Sequence, residues 1–301
     1  MLLTAIKRID NLVSELDFSD IVHKLWVITV FLSAIKNFFR WDLGRLGDDG
    51  ILKYPVFSAL ETIPAQVPEA IMYICFISLI AFLFKNRMLI SAAFIVNGLA
   101  NFLLMSLDYF ALHHDMLLSA MLFIAYGIFI VIDDSSWRRR TIPIILAITA
   151  STYFLSGIVK IDPNFLSGEM AITIIERSKP MFYWPLMEVA TNFSQFLAWY
   201  AMIVEVIEPI ILLFFAGQFK LYSMLMAFPF HMGILLTKTG TVYNLIYPAA
   251  FLLILGQKEL VETKAIFVKK AYNYIALLFI SFATVYLLLT FYLVLRNTFF
   301  R

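Results

Sequence analysis

The stretch that decides the fold is Phe196 to Ala216, FLAWYAMIVEVIEPIILLFFA. Glu205, Glu208 and Pro209 interrupt an otherwise apolar and aromatic run. Its length is close to the roughly 20 residues an α-helix needs to cross about 30 Å of hydrocarbon. Similar runs lie at 22–39, 70–84, 89–107, 116–132, 141–160, 219–237, 240–255 and 272–295. Together they predict an all-α, polytopic transmembrane helix bundle of nine spans. Transmembrane strands would instead show alternating segments of about 10 residues, so a barrel is not expected. The expected domains are an N-terminal helix over 1–19 and a single transmembrane domain over 20–301.

Composition agrees with this reading. Hydrophobic residues make up 62% of the 301 and charged residues 15%, and mean hydropathy is +0.87. Soluble domains carry about 25% charged residues. A net charge of +2 gives no electrostatic footprint for nucleic acid. The single cysteine, Cys75, excludes an internal disulfide and a CxxC redox pair. Residues 1–19 alternate apolar Leu2, Leu3, Ile6, Ile9, Leu12, Val13 and Leu16 with polar Lys7, Arg8, Asp10, Asn11 and Glu15. That pattern lacks the apolar core of a cleavable signal. It fits an amphipathic helix on the membrane surface or one packed on the protein's own inner face.

Positive charge sets the expected orientation. Lys85-Asn86-Arg87, Arg138-Arg139-Arg140 and the lysines 258, 264, 269 and 270 fall on one side of a nine-span chain. Lys and Arg accumulate in cytoplasmic connections. The N-terminus is then cytoplasmic and the C-terminus outside, in the cell membrane, although Arg40, Arg45 and Lys53 lie outside as well. Segment 161–195 is expected to cap the outer surface and partly re-enter the bilayer, because it combines aromatics with Pro180 and Pro185. No internal repeat of the transporter kind is evident.

Ionisable groups in hydrocarbon are costly and usually face a bundle interior or cavity. Lys160 ends the fifth run. Glu205 and Glu208 lie three apart, on one helical face, and His231 is central in the seventh run. At 1.5 Å per residue, Glu205 lies roughly 13 Å from the outer end of its span and His231 roughly 18 Å from the inner end of its own. A pocket opening outward, lined by Lys160, Glu205, His231 and His114, is geometrically allowed. Each group also has a plainer role. Lys160 can snorkel to the interface, the two glutamates can bond neighbouring helices, and His231 can be a satisfied interior histidine. His113 and His114 lack metal-ligand spacing, so no metal is expected. No GxSxG elbow or P-loop is present.

One motif is specific. Tyr153-Phe154-Leu155-Ser156-Gly157-Ile158-Val159-Lys160-Ile161-Asp162-Pro163-Asn164-Phe165-Leu166-Ser167-Gly168 resembles the membrane module of vitamin K-dependent γ-carboxylases and their bacterial relatives, the horizontally transferred transmembrane (HTTM) family. Phe230-His231-Met232 looks like a second landmark, and Glu205 to Pro209 a weaker third. The resemblance covers roughly 20–255. It implies that Lys160 is a base acting on a membrane quinol, with His231 and Glu205 as further catalytic candidates. His114, Asp162 and Glu208 are then candidates for substrate contact.

The chain departs from the carboxylases in two ways. Phe165 stands where the family usually has Trp, and the large extracytoplasmic portion that follows the carboxylase membrane module is not expected after Arg301. Glutamate carboxylation itself is therefore not expected. Short bacterial members of the family include one that helps mature a sporulation-delaying peptide toxin. Two readings follow from different classes. One is a quinol- or lipid-linked membrane enzyme that modifies a secreted peptide. The other is a non-catalytic accessory or immunity protein for such a peptide. A transporter is disfavoured by the missing repeat. Membrane lipids are expected partners on either reading.

Overall fold

The computed structural model describes residues 18–41, 64, 66–107, 114–132, 135–177, 191–215, 219, 223, 226–227, 229–231, 243–262, 270, 273–278, 280–281, 283–285 and 288. Residues 1–17 of the expected N-terminal helix, His113 and most of the seventh span lie outside these residues, whereas Phe18 and Ser19 already belong to the first described helix. The described residues are almost wholly helical, with no strand among them. Among the described residues, four helical stretches are long and apolar enough to cross a membrane: Gln66–Leu83, Arg87–Ser106, Thr141–Val159 and Ser194–Phe214. Shorter apolar stretches are Leu117–Val131, Leu245–Ile254 and Asn273–Val285.

The long helices present large apolar side chains outward. Leu83, Val159 and Phe214 are each about four-fifths exposed. On a water-soluble protein such a surface would be an association liability. In hydrocarbon it is the ordinary surface of a spanning helix.

The chain divides into two compact units, and the boundary falls between Ile145 and Leu146. The first comprises Met1–Ile145 and Ala265–Arg301. Its described helices include α1 (Phe18–Trp41), α2 (Gln66–Ser78, continued as a 3-10 turn over Leu79–Leu83), α3 (Arg87–Leu107) and α4 (His114–Val131). α2 starts ahead of the apolar run because Pro68 sits in its first turn, where a missing N–H costs nothing. Asn86 opens α3, its Oδ1 accepting from the Met88 and Leu89 amides at 2.9 and 3.4 Å.

α3 and α4 approach closely at glycines. A Cβ on Gly98 would lie 2.8 Å from the Ala120 carbonyl, and one on Gly127 2.9 Å from the Ser91 carbonyl. Ser91 donates to the Gly127 carbonyl at 2.7 Å. Small residues that let backbones approach are the usual device of membrane helix pairs. Trp26 of α1 stacks on Tyr126 of α4 at 4.2 Å between ring centroids, and Phe94 meets Tyr126 edge-on at 5.0 Å. Asn97 donates to the Ser78 hydroxyl at 2.8 Å, and Asn101 to the Ser33 hydroxyl at 3.3 Å. Asn97 and Asn101, four residues apart on one face of α3, therefore link it to α2 and α1.

The second unit is Leu146–Lys264. It holds most of α5 (Ser135–Val159), α6 (Pro163–Leu166), α7 (Glu169–Arg177), α8 (Ser194–Phe214) and α9 (Tyr243–Glu262). α5 begins before its apolar run, so the arginines 138–140 are helical, as their propensity favours. The helix ends by tightening: Lys160 N–H bonds the Gly157 carbonyl and Ile161 N–H the Ile158 carbonyl, both at 3.0 Å. Such i→i−3 bonds satisfy terminal carbonyls. Asp162 then caps α6 and Pro163 takes its first position, the preferred N-terminal chemistry.

Candidate functional site

The site lies within the second unit and is built on one face of α5. Tyr153, Gly157 and Lys160 follow one another at helical spacing. Gly157 is the point of contact with α8. A Cβ there would stand 2.7 Å from Val206 Cγ2 and 2.9 Å from the Glu205 carbonyl carbon. Only glycine lets the two backbones come this near, and that approach brings Lys160 to Glu205.

The Lys160 ammonium forms an ion pair with Glu205 Oε2. It also donates to the Ser156 hydroxyl at 2.7 Å and to the Ser156 carbonyl at 3.3 Å. An ammonium has three donors, and these acceptors match them. The Phe165 ring lies beneath it, 5.9 Å from Nζ to the centroid, within cation–π range. Lys160 therefore does not simply reach outward. Its side chain retains 22% exposure, against 9% for Glu205, so the ammonium is the accessible end of the pair.

The turn after Lys160 carries the support. Phe165 is buried with Ala198 and Ala201 of α8, and Leu166, Ala171 and Phe230 pack around them. Gly168 has φ +89, and a Cβ on it would lie 2.6 Å from the Gln195 amide. This position thus requires glycine for both conformation and space. The first part of the expected outer cap, α6 and α7, packs on the beginning of α8 through these contacts. Residues 178–190 lie outside the described residues, and re-entry of the segment concerns them.

His231 meets α5 at Tyr153, whose hydroxyl is bonded to His231 Nε2. Tyr153 precedes Lys160 by seven residues, about 10 Å along the helix at 1.5 Å per residue. Tyr247 of α9 stacks near the imidazole, with centroids 5.7 Å apart at 25°. Phe251 closes on Tyr153 at 5.4 Å. His231 is 1% exposed. It is thus an aromatic-caged interior histidine that contacts the same face of α5 from which Lys160 projects.

Glu208 follows Glu205 on α8 and is buried. Asp162 is committed to the backbone: its Oδ1 accepts from the Asn164 and Phe165 amides at 2.9 and 3.3 Å. His114 opens α4 in the first unit. Among the described residues no cluster of three or more His, Cys, Asp or Glu is arranged to hold a metal.

Sequence reasoning missed Ser156, Tyr153 and Tyr247 as members of the site. A signal for the first two was available, since Tyr153, Ser156 and Lys160 recur at three- and four-residue steps within the quoted motif. Nothing in the sequence points Tyr247 at His231. Comparison with family models, curated proteins and solved structures finds no match for the chain.

Proposed function

We propose that the chain is a nine-span membrane protein of the horizontally transferred transmembrane kind, with the N-terminus cytoplasmic and the C-terminus outside. In this reading it is a proton-transfer enzyme acting on a quinol dissolved in the lipid phase. The observation that carries the proposal is the Lys160–Glu205 pair, set among apolar helices with its ammonium end partly accessible. Such a pair is costly in a membrane and marks function more often than packing.

The chemistry balances within the pair. Lys160 passes a proton to the Glu205 carboxylate, which leaves a neutral amine and a neutral acid. The amine then takes the proton of a quinol hydroxyl, and the resulting phenolate faces the new ammonium. Ser156 holds the nitrogen in place throughout, and Phe165 offers an aromatic surface beside it. These residues fit a flat, hydroxylated ring. A secreted peptide would be the downstream partner, as the family resemblance implies.

The test uses the protein in lipid nanodiscs with reduced menadione as probe. Wild type should bind the quinol and co-purify with an isoprenoid quinone detectable by mass spectrometry. Lys160→Ala and Lys160→Arg should lose any quinol-dependent turnover, because arginine stays protonated. Full activity in the arginine variant would remove the base role and favour the non-catalytic accessory reading. Orientation is tested separately with single cysteines in a Cys75→Ser background. Labelling of position 139 by an impermeant reagent from outside would overturn it.

A further inference from the structure

Glu208 is 3% exposed and Ser223 2%. Among the described residues, both Glu208 carboxylate oxygens and the Ser223 hydroxyl lack a hydrogen-bond partner. Ser223 is near enough to act on the carboxylate, as is Glu205 one turn earlier, but no bond of proper length and angle forms. This contrasts with Glu205, which has Lys160.

An uncompensated carboxylate in such a place is severely penalised, by several kcal/mol even after relaxation. Something must neutralise it. A ligand of molecular size has no way to a side chain this buried. A metal would need more donors than the one carboxylate and one hydroxyl that the described residues offer here, and no metal-holding cluster is found among them. A proton needs neither space nor further ligands.

We infer that Glu208 is a proton-carrying carboxyl inside the bilayer, exchanging its proton with the Lys160–Glu205 pair one turn away on α8. In the exchange the Glu208 O–H bond breaks and an O–H bond forms on the Glu205 carboxylate, so charge is conserved and nothing is oxidised. Among the described residues, the charged and titratable groups that act on Glu208 are Glu205 and Tyr200 on its own helix, with Lys160 reached through Glu205. Ser223 supplies a hydroxyl that can turn either to donate to the anion or to accept from the acid. The inference needs no quinol and stands apart from the reading above.

A lipophilic carbodiimide tests it. The reagent takes its proton from a carboxylic acid and then bonds the carboxylate oxygen, so it marks protonated carboxyls within the membrane. Applied to the full chain in nanodiscs, dicyclohexylcarbodiimide should place its adduct on Glu208, located by tandem mass spectrometry. Glu208 should carry most of the adduct, because Glu205 is held as the anion by Lys160. The infrared carbonyl band of a protonated carboxyl should be present in wild type and in Glu205→Gln, and lost in Glu208→Gln. This band decides the matter if the reagent fails to reach the site. In Lys160→Gln, Glu205 should become a second labelled carboxyl. If Glu205 stays unlabelled there, the exchange falls. Absence of both the adduct and the band in wild type overturns the proposal, as does labelling confined to Glu205.

Discussion

The two units solve the same problem with different side chains. In the first, α3 is tied to its neighbours by neutral groups: Asn97 to Ser78, Asn101 to Ser33 and Ser91 to the Gly127 carbonyl. In the second, the close crossing of α5 and α8 carries an ammonium and a carboxylate, with a second carboxyl group a turn further on. Both crossings are made at glycine. What differs is the cost of the polar cargo. An amide in hydrocarbon that finds one partner is nearly neutral in energy, whereas an ion must find a counter-ion. A region built only for packing has no need of the second arrangement. The comparison therefore teaches that charge, rather than polarity, separates the candidate site from the scaffold.

The largest expected effect breaks the ion pair. Lys160→Ala leaves Glu205 buried without its cation, and loss of one partner of a buried pair costs roughly 3–5 kcal/mol. The partial exposure of the amine places the expected loss at the low end. Unfolding in mixed micelles would measure it, and Lys160→Met combined with Glu205→Leu should recover most of the loss. If the double variant is as unstable as the single losses added together, the two residues are not coupled and the contrast between units disappears.

Next comes the crossing itself. Gly157→Ala inserts a methyl group against the Glu205 backbone and Val206. Overpacking of this kind costs about 1–3 kcal/mol. It should also part α5 from α8 and so weaken the ion pair. The sharper outcome is that Gly157→Ala reduces the coupling between Lys160 and Glu205, whereas Gly98→Ala, a comparable intrusion in the first unit, leaves it unchanged. Equal effects from both glycines would show that the pair does not depend on the local approach.

How much of this was legible follows from the physics of each feature. The apolar runs announced helices because hydrocarbon demands length and internal hydrogen bonding, and both are written locally. Lys160 and Glu205 stood out as ions in such runs, and their depths allowed a shared pocket, but their direct pairing came only from the close approach of α5 and α8. Helix ends were less legible. Arginines 138–140 and Pro68 read as loop but are helical, because arginine has a good helix propensity and proline is tolerated in a first turn. Spacing could place Tyr153 on the face of Lys160, but its pairing with His231 was out of reach. Tyr153 and Tyr247 are ordinary apolar-run residues, and only the tertiary arrangement selects them from the chain's many aromatics. The orphaned state of Glu208 was equally hidden, since a partner's absence is a property of packing.

A smaller effect is expected at the histidine. Tyr153→Phe keeps the ring among Tyr247 and Phe251 and deletes only the hydroxyl that meets His231. Side-chain bonds within membranes average about 0.6 kcal/mol and reach about 1.7. The burial of His231 favours the upper part of that range, because the imidazole nitrogen loses its partner where water does not replace it. Two-dimensional NMR of labelled histidine should show the His231 ring shifted in Tyr153→Phe. An unchanged imidazole spectrum would mean that the hydroxyl is not its partner in the membrane.

The smallest effect should come from the first unit, and it is the most direct test of the comparison. Asn97→Ala removes an amide that donates to Ser78 at 2.8 Å and to the Ala93 carbonyl of its own helix, also at 2.8 Å. The Ala93 carbonyl retains its place in the helical ladder, so it is not orphaned. Ser78 can keep its own bond to the Cys75 carbonyl at 2.6 Å. What is lost is one interhelical bond between neutral groups, worth about 0.6 kcal/mol on average in a membrane. Alanine also suits the close packing of α3 better than a desolvated amide does, which offsets part of the loss. The expected change in unfolding free energy is thus several times smaller than for Lys160→Ala under the same conditions. If Asn97→Ala destabilises the protein as much as Lys160→Ala, the asparagines are not passive glue. The first unit would then hold a polar site of its own, and the distinction drawn from charge would have to be abandoned.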